Sequence, residues 1–350
     1  MNTEEMLEMA VLLGLPVNAE TFLFCEESYI SSIIRHTPPY LLLSHALCGR
    51  ASDSSVLFVF ARATFSEREC DGHYPGFPSL PLTEIGRAMD QTAALFAGYA
   101  ASDSVDAGKI PLLRRIAKLK GGRIEKFDPV NPCWIWASSH NGELKTTLFS
   151  GSLSSPLASI EGWTYDFKND NEFQSNLSES LRISPDISGT GLDRGNIMKL
   201  IPQAPPFLIL ESATIAHEQN GHATISAHAH VLREMKAGYL GRNEILGPMH
   251  CSRALAQSGM VLCAAVLPLP DFIPEVASAY SIWYDTSCFF QNQNELTVLA
   301  RIESIISKKS LNMAKVSGSV FCNGHKIYRA ESLNYILIPR DDHPAGRSNQ

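Results

Sequence analysis

The stretch DGHYPGFPSLP (71–81) sets one histidine, His73, between glycines and prolines just ahead of a long helical run, TEIGRAMDQTAALFAGYA. Imidazole titrates near neutrality, so a histidine fixed in a tight loop is suited to taking and giving a proton. The alternative is a histidine that only packs a turn. The helix that follows carries Glu84, Arg87 and Asp90 on an otherwise apolar run, and a second helix carries His250 and Arg253. Glu84/Arg87, Arg87/Asp90 and His250/Arg253 are each spaced i, i+3, so each pair shares a helix face. Buried charges need partners, so internal neutralisation competes with a chemical role for Arg87 and its two acids. Arg253 has no carboxylate on its own helix.

The elements that position these groups occur twice. IRHTPPYLLL (34–43) aligns with IPQAPPFLIL (201–210) at an offset of 167. GRAMDQTAAL (86–95) aligns with SRALAQSGMV (252–261) at 166, and FSGSL (149–153) with VSGSV (316–320) at 167. Three matches in one order at nearly one offset mark a tandem duplication. Each unit reads as a Pro-Pro-aromatic lead-in, two strands, a Gly/Pro-rich loop, one long helix (about 82–101 and 249–267) and several β-rich segments. One helix amid antiparallel strands is an α+β layout. Both helices are apolar or small nearly all round, the mark of a buried helix. The polar segment 167–195 reads as a linker between unit one (30–166) and unit two (196–340), with a helical extension (1–29) before them and a polar tail (341–350) after them.

Composition narrows the function classes. The 350 residues suffice for two domains, and 45% hydrophobic with 19% charged residues is a globular balance. A net charge of -7 argues against nucleic acid as a partner. The basic segments 114–123 and 307–310 are the places where an acidic partner protein would dock, with a solvated basic face as the competing reading. The N-terminus lacks a signal-peptide pattern, and MVLCAAVLPLP (260–270) is too short to span a membrane, so a cytoplasmic location is expected. Eight cysteines without a CxxC pair read as buried free thiols. The histidine-rich stretch 217–230 lacks acid or cysteine at metal-binding spacing, and no phosphate loop or dinucleotide motif occurs, so neither metal nor cofactor is expected.

HTPPYLLL, GHYPGFPSLP and the helix start RAMDQTAAL resemble the 3-hydroxyacyl-acyl-carrier-protein dehydratases. The resemblance covers roughly 30–165 and 196–338. It implies the hot-dog fold, a curved antiparallel sheet wrapped around a long helix, here as a tandem double hot dog, with further dimerisation left open. It implies that His73 removes the α-proton of an acyl thioester carried on the phosphopantetheine of an acyl carrier protein. It also implies that Tyr74, Gly76, Pro81, Tyr239 and Gln257 contact substrate. An acid on the helix of the other unit protonates the leaving hydroxyl in that family. Here the two equivalent positions hold Arg87 and Arg253, and Tyr239 replaces the histidine in unit two. Arginine does not give up a proton near neutral pH. Family-like pairing would assemble His73, His250 and Arg253 into one composite site. A second, degenerate site would hold Tyr239 with Glu84, Arg87 and Asp90.

Dehydration is the first functional reading, with His250 or Arg253 assisting the leaving group. Isomerisation or cyclisation on the same base is a variant, since an arginine-lined pocket suits a carboxylate or an enolate. A non-catalytic partner of a carrier protein or dehydratase is the second reading, and a thioesterase using Glu84 or Asp90 the third.

Overall fold

The computed structural model describes residues 1–17, 19–51, 57–102, 104, 106–121, 127–128, 131–150, 156–169, 187–218, 222–242, 245–267, 272–287, 290, 293–308 and 311–343. The first unit runs α1 (Thr3–Leu12), β1 (Ala19–Glu26), α2 (Glu27–Ile34), β2 (Leu43–Ala51), β3 (Leu57–Ala63), α3 (Leu82–Ala100) and β4 (Ile110–Gly121). It closes with β5 (Cys133–His140), β6 (Glu143–Phe149), β7 (Pro156–Glu161) and β8 (Thr164–Lys168). The second runs β9 (Thr190–Asp193), α4 (Arg194–Leu200), β10 (Leu210–His217), β11 (Ala223–His230), α5 (Arg233–Lys236) and α6 (Pro248–Val266). It closes with β12 (Phe272–Tyr284), β13 (Glu295–Lys308), β14 (Leu311–Cys322) and β15 (His325–Pro339).

All paired strands join one antiparallel sheet, ordered β1-β2-β3-β5-β6-β7-β4-β12-β15-β14-β13-β11-β10-β9, with β8 also on β4. The order is a near mirror image about the β4–β12 seam, where Arg115 faces Trp283 and Lys120 faces Ser278. Each half-sheet curls around its own helix. The fold is the expected α+β double hot dog, and α3 and α6 lie within a residue of the expected helices.

Sequence explains both helices. Pro81 leads into α3 and its carbonyl accepts the N–H groups of Glu84 and Ile85 at 3.0 Å each. Alanines and other small residues then allow close sheet contact, so that Glu84, Arg87 and Asp90 are buried with their apolar neighbours. Proline stands only at the entry of these helices. In α6 it is Pro248, in the first turn, where its missing N–H costs nothing.

The repeat extends further than its motifs. β1 and α2 occupy the same place before HTPP that β9 and α4 occupy before QAPP. Units therefore begin near 19 and 190 rather than at 30 and 196. Residues 190–195 belong to unit two rather than to the linker, and only the part before β1 is an extension. These edge elements were hidden because a short edge strand needs little side-chain identity. The rest of the linker (170–186), residues 122–123 and 309–310 of the basic segments, Cys288 and 344–350 lie outside the described residues. The other seven cysteines are free and buried. No helix among the described residues is long and apolar enough to cross a membrane.

Each unit's loop presses on the other unit's Pro-Pro turn. The Gly72 carbonyl accepts the Ala204 N–H at 2.8 Å, and the Gly238 carbonyl accepts the Thr37 N–H at 2.9 Å. Both glycines have left-handed φ (+75° and +89°), and a Cβ would strike the Ala204 or Thr37 carbonyl oxygen. Gly72→Ala and Gly238→Ala are expected to cost about 2–4 kcal/mol each in urea unfolding. Gly108→Ala is expected to cost about 1 kcal/mol, since Gly108 shares the left-handed φ but faces open space. Equal losses at all three positions would show that the inter-unit contact adds nothing.

Candidate active site

Two glutamines build the site's frame. Gln91 donates from Nε2 to the Tyr40 carbonyl at 2.8 Å, and its Oε1 accepts the Leu42 N–H at 2.9 Å. Gln257 donates to the Phe207 carbonyl at 2.9 Å and accepts the Ile209 N–H at 3.0 Å. Each amide replaces the strand partner that the Pro-Pro turn cannot supply. Gln257 is buried and spends these groups on backbone, so its place is in the frame rather than against substrate.

The frame holds Tyr40 and Phe207 as equivalent rings, each beneath an arginine. The Arg87 guanidinium lies 5.1 Å from the Tyr40 ring centre and that of Arg253 lies 4.2 Å from Phe207. On Phe207 also rests the His73 ring, with centroids 4.8 Å apart. His73 and the unit-two helix thus meet through Phe207, a residue that the sequence reading left out of the site. Its signal was present in the repeated Pro-Pro-aromatic motif.

The His73 Nδ1–H donates to Ser79, 3.0 Å from its carbonyl oxygen and 3.1 Å from its hydroxyl. This assigns the neutral tautomer with Nε2 unprotonated. Nε2 has no hydrogen-bond partner among the described residues. Burial pushes the imidazole pKa down to about 3; the Ser79 bond opposes that shift, and the charges of Arg253 and His343 add to it. Tyr74 packs on His73 at 4.0 Å between ring centres and meets the buried His343 at 4.9 Å. The tail is therefore polar only in part: a turn after β15 carries His343 inward, where Nε2 lies 3.3 Å from Glu275. Gly76 lies exposed in the loop with φ +82°, and Pro81 serves the start of α3.

The charged groups pair differently from their helical spacing. Glu84 bridges the units, holding Arg87 at 3.0 Å through Oε2 and Arg253 through Oε1. Both arginines together keep the Glu84 carboxyl below the usual range although burial opposes this. Arg87 also meets Glu69 at 3.4 Å. Glu69 was legible as the last residue of a Ser66-x-x-Glu69 capping box. Arg87 and Asp90 do not pair. Asp90 instead accepts the Tyr165 hydroxyl at 2.9 Å, and burial raises its pKa to about 7.

His250 and Arg253 do not pair either. His250 Nδ1 accepts the Gly247 N–H at 2.9 Å and Nε2 lies 3.0 Å from the Met235 carbonyl, to which it donates. Burial lowers its pKa to about 4. Both nitrogens cap and tether α6, which leaves none for a substrate proton in this arrangement. Tyr40, Glu84, Arg87, Phe207, His250 and Arg253 border a cavity of about 260 Å³ between the helices. The Tyr40 hydroxyl is buried without a partner.

The second composite site is filled with rings. Tyr239 stacks on His36 and meets Tyr40, each at 5.0 Å between centroids. His36 Nδ1 accepts the Leu240 N–H at 3.0 Å. Asp90 reaches this region from α3, where the imidazole stacked on Tyr239, that of His36, spends Nδ1 on the Leu240 N–H.

Gln257→Ala strands one buried donor and one buried acceptor, an expected loss of about 2–4 kcal/mol in urea unfolding. A loss under about 1 kcal/mol would deny the clamp its structural role. Asp90 binds its proton more tightly folded than unfolded, so stability falls as pH rises from the ordinary carboxylate range through about 7. Asp90→Asn keeps an acceptor for Tyr165. It is expected to exceed the parent's stability near pH ~8, with the gap closing toward pH ~4; a pH-independent gap in thermal melts would reject this assignment.

No family model matches the chain. A 3-hydroxyacyl-(acyl-carrier-protein) dehydratase FabZ of Magnetococcus marinus is 33% identical over 76 residues, 22% of this chain and 48% of that protein. A FabZ of Cereibacter sphaeroides is 34% identical over 90 residues, 26% of this chain and 56% of that protein. The chain thus spans about half the length of the curated relatives it matches. The dehydratase domain of a mycocerosic acid synthase-like polyketide synthase superposes with a TM-score of 0.55 at 14% identity, covering 85% of this chain and 96% of that one. The bifunctional dehydratase-cyclase domain in ambruticin biosynthesis gives 0.51 at 14% identity, over 87% and 98%. At such identities the structural likeness is one of fold, and it extends across both units. The chain therefore has the tandem, double hot-dog fold, and over about a quarter of its length its sequence is similar to FabZ dehydratases.

Proposed function

We propose that the protein is an acyl-thioester enzyme that removes water from a 3-hydroxyacyl group delivered on a carrier protein, within cytoplasmic acyl metabolism. The observation that carries this reading is the His73 tautomer: Ser79 holds Nδ1–H and leaves Nε2 as a proton acceptor. Nε2 takes a proton from Cα, the Cα–Cβ double bond forms, and the Cβ–O bond breaks. The departing hydroxyl takes a proton and leaves as water.

The family's acid position offers Arg253, which gives no proton, and His250 has both nitrogens engaged. The Tyr40 hydroxyl also borders the cavity unpartnered, but burial raises its pKa, which leaves the His73 imidazolium as the stronger donor. The environment that makes His73 a weak base makes its conjugate acid strong. A weak base does not sustain a free enolate, so Cα–H cleavage and hydroxyl departure are coupled, with the proton passing from carbon to oxygen through one ring. Water then leaves from the face that loses the proton.

A second reading rests on the Glu84–Arg253 pair and the engaged His250: a non-catalytic hot-dog partner that binds a carrier protein. Mass spectrometry of 3-hydroxyacyl and 2-enoyl carrier thioesters in deuterated buffer separates the two. His73→Ala is expected to lower water loss by about 10²- to 10⁴-fold. No water loss and no α-deuterium exchange by the parent, with carrier still bound, would leave the non-catalytic reading. Since His73 is neutral above a pH of about 3, kcat/KM is expected to stay flat through the range where an ordinary histidine titrates. An acid limb centred near pH ~6.5 would contradict the burial of the base.

A further inference from the structure

The β4–β12 seam carries a second groove, on the face of the sheet away from the helices. Its volume is about 620 Å³, and Arg114, Arg115, Trp283, Lys326, Arg329 and Glu331 border it. Four cations against two carboxylates, Glu331 on the border and Asp166 beside Arg114, leave a locally positive patch on a chain of net charge -7. Duplication creates it, because Arg114 and Arg115 come from unit one and the others from unit two. Arg115, Trp283 and Arg329 occupy one transverse row of the sheet, in direct register on β4, β12 and β15. With strands about 4.8 Å apart, the Cα atoms of the two arginines flank that of Trp283 and lie roughly 10 Å from one another.

The cations are unequally matched. Arg114 meets Asp166 at 3.2 Å and Arg329 meets Glu331 at 2.6 Å. Arg115 and Lys326 are exposed and have no carboxylate partner among the described residues. Lys326 lies 6.0 Å from the Phe321 ring centre. The Trp283 side chain is half-buried, and its indole makes neither a hydrogen bond nor a ring or cation contact among the described residues. The other three tryptophans, Trp134, Trp136 and Trp163, are buried in stacks.

We infer that this groove binds a phosphate ester bearing an aromatic ring, a nucleoside phosphate in chemical class. The indole offers a flat face for a base, and the flanking guanidinium forks and Lys326 match phosphate oxygens. The volume suits a small molecule. The inference stands independently of the reaction proposed for His73. Phosphate can reach the groove on a free nucleotide or on the phosphopantetheine of a carrier protein, and only the nucleotide brings a ring for Trp283.

The test titrates the full-length protein with ADP, inorganic phosphate and a holo carrier protein, reading tryptophan fluorescence and calorimetric heat. ADP is expected to quench the one unstacked tryptophan and to bind at least tenfold more tightly than inorganic phosphate. Arg115→Glu and Lys326→Ala are each expected to weaken ADP binding about tenfold or more, with unchanged thermal melts because both side chains are exposed. Trp283→Phe is expected to remove the quench. Absence of ADP binding at millimolar concentration overturns the inference, and so does ADP binding untouched by both charge variants. Equal affinity for ADP and phosphate overturns the aromatic part. A response to the carrier protein alone overturns the nucleotide assignment.

Discussion

Glu84 is the constraint on which the central architecture depends. Two guanidinium groups from different units lie buried against one carboxylate, and each also covers an aromatic ring of its own unit's Pro-Pro turn. Neither arginine is tolerable in that interior without a counter-charge. Glu69 supplies the second carboxylate to Arg87. The arrangement therefore ties α3 to α6 and both helices to the turns that carry Tyr40 and Phe207. Loss of the Glu84 carboxylate would strand Arg253 and leave Arg87 with only its longer contact to Glu69.

Much of this was legible in sequence at the level of repetition. The offset of 166–167 links Gln91 with Gln257, Arg87 with Arg253, Tyr40 with Phe207, and His73 with Tyr239, and the structure gives the first three pairs equivalent surroundings. The partner of each charge was not legible. Spacing of i, i+3 states which face a side chain occupies but not what lies across that face. Asp90 thus turns to Tyr165, His250 to its own helix start, and Arg253 to the other unit. Burial of His343 was equally hidden, since a short polar tail gives no periodic signal.

The fourth pair shows what duplication permits. Gly72 and Gly238 place equivalent loops against the opposite unit's turn, so His73 and Tyr239 occupy equivalent loop positions. One loop presents an imidazole held by Ser79. The other presents a phenol stacked into His36 and Tyr40. The first keeps a proton acceptor near the unit-two helix, while the second fills its space with rings and serves the packing between units. A chain with two such places can lose one to packing because the other retains the histidine.

The cavity between the helices then takes on a different character from the one its residue types suggest. Two arginines in a pocket imply affinity for a carboxylate, but here Glu84 and Glu69 already meet that demand. An incoming anion would have to displace Glu84, whose carboxyl the two arginines hold below the usual range. Displacement would bury an unpaired carboxylate in exchange for the new pair. What the cavity offers beyond these ion pairs is the Phe207 ring, the Met249 side chain and an unpartnered Tyr40 hydroxyl. Those groups favour a neutral chain with a hydroxyl or carbonyl oxygen. Phe207 also carries the His73 ring, 4.8 Å away between centroids, while His73 itself does not border the cavity, so under the proposed reaction an acyl group has to reach the imidazole past that ring.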